Sequence, residues 1–184
     1  MNFPEPYVAF KRFLPFLVAF LSALLVIYTW WGGFSPVGIQ PGQVRGPYTY
    51  AYLEQVGDYA KLPDLQARVE QALRGENIVP GTPITVLYSN PDLVQVNQRR
   101  ARSGYLVPEG TRVREPLRID HIPARTVLLA QVDAAVLLAP SRVYQALDRH
   151  LQAQGQGIRM PTVELYQASD SVMRMGRLTV EVPE

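Results

Sequence analysis

Between Phe13 and Trp31 the chain runs through 19 residues whose only polar side chains are Ser22 and Thr29. At 1.5 Å per residue a helix of that length reaches roughly 28 Å, close to the hydrocarbon thickness of a bilayer, about 30 Å. No face of it carries the polar stripe of a helix on a globular surface. The sequence therefore predicts a transmembrane anchor, with the lipid bilayer as the partner of Phe13 to Trp31. A cleaved signal peptide is the competing reading, with Lys11 and Arg12 as its basic start and Gly33 and Ser35 as its small residues. The apolar run is longer than the roughly 7 to 15 residues such a peptide uses.

Lys11 and Arg12 precede the run, and no further Lys or Arg follows until Arg45. That asymmetry predicts a single-pass protein with a cytoplasmic N-terminus and an extracytoplasmic domain, periplasmic in a Gram-negative cell. Tyr28, Trp30 and Trp31 mark the far interface. The expected organisation is a cytoplasmic segment at 1–12, the anchor at 13–33, a tether at 34–46 rich in Gly and Pro, and a folded domain at 47–184.

Composition narrows the chemistry. Setting aside Lys11, Arg12 and Glu5, residues 45–184 hold 16 Lys and Arg against 15 Asp and Glu, so the overall pI of about 9.0 marks no nucleic-acid footprint. With no cysteine, thiolate catalysis, disulfides and Cys-type metal sites are excluded. His121 and His150 stand 29 positions apart without a metal-ligand spacing, so neither a metal nor a cofactor is expected.

The domain says the same thing twice. Tyr52-Leu53-Glu54-Gln55-Val56-Gly57 is echoed by Leu128-Leu129-Ala130-Gln131-Val132-Asp133, Val69-Glu70-Gln71-Ala72-Leu73 by Val143-Tyr144-Gln145-Ala146-Leu147, and Pro83 to Tyr88 by Pro161 to Tyr166. The offsets stay between 74 and 78 residues and the order is kept, which points to an internal duplication. Each copy reads as strand, helix, strand, strand, over about 47–110 and 117–184. Leu62, Leu65, Val69 and Leu73 give the first helix its inward face, and Val143, Leu147 and Leu151 the second. The expected fold is α+β: duplicated βαββ units forming a curved antiparallel sheet or barrel with two helices. Arg99, Arg100 and Arg102 read as a solvated hairpin before a strand starting at Gly104.

Several of these segments carry a family resemblance. Gly57-Asp58-Tyr59, Gly104-Tyr105-Leu106-Val107-Pro108, Ile122-Pro123-Ala124, Pro140-Ser141 with Tyr144-Gln145-Ala146-Leu147, and Val163-Glu164-Leu165-Tyr166 resemble, in that order, the GyrI-like domain. That domain is the duplicated βαββ effector-binding module of some multidrug-sensing regulators, related to the SOUL domain. The resemblance implies a small-molecule pocket in which the glutamate of an E-x-Y element, here Glu164 with Tyr166, faces the ligand.

Strand alternation supports that choice, since Thr162, Glu164 and Tyr166 share one face and Val163 and Leu165 the other. The repeat offset of 78 makes Val86, between Ile84 and Tyr88, the counterpart of Glu164. Tyrosines offer apolar area, a polar tip and a ring that attracts cations, so Tyr52, Tyr88, Tyr105, Tyr144 and Tyr166 join Glu164 as candidate ligand-binding residues. They suit a planar or cationic organic ligand. No catalytic residue is nominated. Hydrolysis of a reactive small molecule by a desolvated Glu, and a role as interaction subunit for an unidentified membrane protein, are the alternatives.

Overall fold

The computed structural model describes residues 6–169 and 175–184, with side chains from Phe13 onward. Lys11 and Arg12, which carry the expected orientation, lie outside the described side chains. Helix α1 spans Pro6–Trp30, and its segment Phe13–Trp30 has a mean hydropathy of 2.1 with no residue buried. It is the one described helix long and apolar enough to cross a membrane.

The chain leaves α1 and packs at once on the folded domain. Ala135 donates its N–H to the Trp31 carbonyl at 2.9 Å, and Arg142 donates from Nη2 to the Ser35 carbonyl at 2.6 Å. Glycine is required twice at this junction. Gly32 sits at φ 78°, with the Asp133 carbonyl oxygen 2.7 Å from where a Cβ would stand, and a Cβ on Gly33 would meet the Tyr28 ring at 2.2 Å.

Eight strands follow: β1 (Gly38–Arg45), β2 (Tyr48–Val56), β3 (Pro83–Leu87), β4 (Arg100–Leu106), β5 (Arg118–Ile122), β6 (Arg125–Asp133), β7 (Thr162–Gln167) and β8 (Arg177–Pro183). Helix α2 (Leu62–Gly75) follows β2, and α3 (Ala139–Gln152) follows β6. All pairings are antiparallel, in the order β1-β6-β8-β7-β3-β4-β2-β5. This is the α+β architecture that the duplicated pattern predicts.

Two expectations are corrected here. Residues 34–46, read as tether, contain β1, which pairs with β6 from Gly38 to Arg45. Their Pro and Gly belong to an irregularity between Gln40 and Gln43, where Pro41 and Gly42 sit on an edge strand that needs no second row of donors. The strand expected from Gly104 starts instead at Arg100, so Arg100 and Arg102 are strand residues rather than a solvated hairpin. Arg102 lies over the rings of Tyr52 (4.6 Å) and Tyr88 (5.0 Å) and pairs with Asp120. Those contacts cover its aliphatic stem and place its charge.

Strands β1 and β2 are joined by Gly46-Pro47, and β5 and β6 by Pro123-Ala124. Register is continuous across this corner: Val44 faces Thr126, Arg45 faces Arg125, Tyr48 faces Ile122 and Thr49 faces His121. Two long bent strands thus run side by side as one ribbon, and the two ends of the sheet order meet at the corner. Arg45 and Arg125 would repel there as directly opposed like charges. The Glu181 carboxylate, fully buried, accepts from Arg45 Nε at 3.0 Å, Arg125 Nη2 at 3.1 Å and the Tyr48 hydroxyl at 2.6 Å. Burial, then the neighbouring carboxylate, pushes the Tyr48 phenol up to about 12.

Each helix covers its own half of one sheet face. Val69 and Leu73 of α2 meet Ala51 and Tyr105, with Leu65 buried on the same helix, while Val143, Leu147 and Leu151 of α3 meet Leu128, Ala130, Val132, Leu178 and Val180. On the opposite face Tyr50, Tyr52, Ile84, Val86, Val163 and Leu165 form a separate core.

Candidate functional site

Because α2 rests on β2 and β4 and α3 on β6 and β8, the central pair β3 and β7 has no helix directly above it. The gap is a cavity of about 550 Å³, within the range of small-molecule sites. Its floor carries a polar stripe across three adjacent strands: Ser103 on β4 opposite Thr85 on β3, and Thr85 opposite Glu164 on β7. The Thr85 and Ser103 hydroxyls are 3.3 Å apart. Leu87, Leu178, Pro83 and Tyr166 complete the floor, Leu62, Pro63 and Gln66 of α2 form one wall, and Ala139, Pro140, Tyr144 and Asp148 of α3 the other.

Glu164 is the chemical centre. Tyr144 reaches down from α3 and donates its hydroxyl to Glu164 Oε1 at 2.7 Å, with the buried Thr162 hydroxyl 2.9 Å from the same phenol. A phenol has one proton, so Thr162 donates to Tyr144 while Tyr144 donates to Glu164. Protein surrounds the carboxyl, and its accessible part faces the cavity. Burial raises its pKa above the usual carboxylate range, partly offset by the Tyr144 bond. Burial and then the Glu164 charge hold the Tyr144 phenol well above its ordinary value. Among the described lining residues Asp92, Asp148 and Glu164 are acidic, and none is Lys, Arg or His.

The structure brings three of the six candidate residues together: Glu164, Tyr144 and Tyr166. Tyr105 is on the helix face but packed under α2, its hydroxyl donating to Glu70 Oε2 at 3.1 Å. Tyr52 and Tyr88 lie on the far face around Arg102. Tyr88 was chosen for its ring chemistry, and the assignment of Val86 as the counterpart of Glu164 is one residue out of phase. Val86 faces Val163 on the opposite side of the sheet, and the residue across from Glu164 is Thr85. A slip of one residue exchanges the faces of a strand.

Tyr59, Gln66, Thr85, Ser103, Asp92 and Asp148 also line the cavity without standing among the candidates. Tyr59 follows the Gly57-Asp58 turn, with its hydroxyl 2.9 Å from the Ser89 and Arg100 carbonyls. Thr85 and Ser103 required the register of β3, which alternation alone leaves open by one residue. No three His, Asp or Glu side chains cluster as a metal site among the described residues.

No family model matches the chain, and no curated protein matches it in sequence. Solved structures do match. The C-terminal domain of EcmrR aligns with a TM-score of 0.62 at 11% identity, over 81% of this chain and 96% of that domain. SAV2435 bound to tetraphenylphosphonium aligns with a TM-score of 0.54 at 10% identity, over 80% of this chain and 93% of that one. The domain has the GyrI-like fold. In an EcmrR–DNA complex the match has a TM-score of 0.58 at 11% identity and covers 96% of this chain and 69% of that one.

Proposed function

We propose that the protein is a membrane-anchored receptor for a small cationic organic ligand, held in the cavity with Glu164 as its counter-charge. The carrying observation is the all-acidic set of charged lining residues around a half-buried carboxylate that already has one donor and has acceptor capacity left. Tyr144 and Tyr166 supply ring faces for a planar or cationic group. SAV2435, which shares the fold, was solved with tetraphenylphosphonium, a lipophilic cation. Titration calorimetry with tetraphenylphosphonium and with neutral triphenylphosphine oxide tests the proposal. Preference for the cation supports it, and equal affinities would sink it.

Helix α1 holds this receptor at the membrane, with the domain on the extracytoplasmic side as the Lys11 and Arg12 flank implies. A reporter fused after Glu184 that is active only in the cytoplasm would reverse that orientation. A general-base role is the second reading, favoured by the raised Glu164 pKa. Turnover of a reactive ligand by the wild type, with intact binding by Glu164→Gln, would put hydrolysis in place of binding.

A further inference from the structure

The turn between β6 and α3 serves the anchor and the cavity together. Its Ala135 N–H lies 2.9 Å from the carbonyl of Trp31, the residue that ends the apolar run. Its next residue, Val136, lines the cavity, as do Ala139, Pro140 and Ser141 just beyond. Val136 and Leu137 are 58% and 81% exposed, two adjacent aliphatic side chains with nothing packed over them. Consecutive Cα atoms are about 3.8 Å apart, so Val136 and Leu137 lie no more than about 4 and 8 Å from Ala135, the residue bonded to Trp31. Aromatic pairs such as Trp30 and Trp31 settle at the headgroup boundary. The clamp is firm, since Gly32 packs against Asp133 and Ala134, and Arg142 in the first turn of α3 holds the Ser35 carbonyl.

We propose that Val136 and Leu137 sit in the interfacial layer of the bilayer and that the cavity opens there, so that its ligand is an amphiphile taken from the membrane rather than from water. This rests on reading α1 as an anchor and the cavity as a binding site. The occupant of the apolar rim is the lipid headgroup and upper acyl region, because the turn that carries the rim is bonded directly to the helix end that the same bilayer surrounds. A membrane-partitioned cation gains twice, from enrichment in the bilayer and from the acidic lining beyond the rim.

The chain has no cysteine and its two tryptophans are Trp30 and Trp31, which makes the test direct. Full-length Leu137→Cys and Val79→Cys, each labelled with an environment-sensitive fluorophore, are reconstituted in phosphatidylcholine vesicles containing lipid brominated high on the acyl chain. Val79, after α2, is 83% exposed and has no tie to the anchor, so it reports an exposed apolar position elsewhere. Quenching of the tryptophans and of the label at 137, severalfold stronger than at 79, supports the proposal. Quenched tryptophans with equal signals at 137 and 79 overturn it while leaving the anchor intact. Unquenched tryptophans remove the anchor and the proposal with it. The route is tested by Leu137→Asp with rhodamine 6G, a fluorescent lipophilic cation. Association from preloaded vesicles should slow about tenfold while the dissociation constant in detergent stays within twofold; unchanged association overturns entry from the bilayer. If neither chain binds the probe in detergent, the binding reading fails, and the quenching still reports where the rim lies.

Discussion

Replacing Glu164 by Gln keeps the shape of the side chain and the bond from Tyr144, and removes the charge the cavity offers to a cation. A charge-assisted hydrogen bond is worth about 1.5 to 3 kcal/mol, against about 1 for its neutral counterpart. Tetraphenylphosphonium has no donor, so it feels only the Coulomb part; a protonated aromatic amine feels both. The difference is about 0.5 to 2 kcal/mol, so at about 1.4 kcal/mol per tenfold the amine should lose about two- to thirtyfold in affinity and the phosphonium less, while neutral triphenylphosphine oxide changes little. Burial raises the Glu164 pKa in the empty protein, so cation binding favours the ionised form and releases a proton. Wild-type affinity for cations should therefore fall as pH drops through the raised value, and the Gln variant should be flat across the same window. Stability moves the other way. Between the ordinary carboxylate pKa and the raised one the folded state holds more protons than the unfolded state, so wild-type stability falls as pH rises through that window. The Gln variant escapes this loss and should gain on wild type with rising pH. Calorimetric titrations in buffers of different ionisation enthalpy, with urea melts at matched pH, measure all of this. Equal losses for charged and neutral probes, or a wild-type affinity indifferent to pH, would refute the electrostatic role.

Three further outcomes follow from the same geometry. Glu181→Ala leaves Arg45 and Arg125 opposed without their carboxylate and should cost about 2 to 4 kcal/mol, somewhat below the full value of a broken buried pair because Arg45 is part-exposed; a urea midpoint unchanged from wild type would contradict the corner. Tyr105→Phe removes a bond to Glu70 outside the cavity, so it should lower stability by no more than about 1 kcal/mol and leave cation affinity alone; loss of binding in titration would return Tyr105 to the site. A chain beginning at Ser35 keeps β1 and should melt cooperatively without detergent, whereas one beginning at Gln43 strips most of β1 from β6 and should melt lower or aggregate.

Much of the fold was legible because two periodicities carry it. Leu65, Val69 and Leu73, and Val143, Leu147 and Leu151, mark the buried helix faces that the structure displays. Glu164 and Tyr166 were legible as partners on one strand face. Other features were hidden by their own chemistry. Gly38 to Arg45 looks like a linker because an edge strand tolerates Pro and Gly, yet β5 in the second half had a counterpart to be sought there. Tyr88 was misplaced because the suitability of a ring for a cation does not fix which face of the sheet it takes, and this ring lies against Arg102. Tyr52 and Tyr105 show why composition cannot choose among tyrosines: one covers Arg102, the other anchors under α2, and neither contact has a signature along the chain.

The bulge at Pro41 and Gly42 has a consequence for crowding. An anchor confines molecules to two dimensions, where like edges meet far more often than in solution, and an unpaired strand is a template for joining another sheet. Within β1 Pro41 has no N–H, and the Gly42 N–H is taken by the Glu184 carboxylate at 2.9 Å, so two donors near the middle of this edge strand are withheld from a second molecule. At the other end of the sheet order, β5 is short and carries Arg118, Asp120 and His121. If α1 anchors the chain as proposed, dense packing on one membrane need not become fusion of sheets, and neighbouring molecules can stay separate.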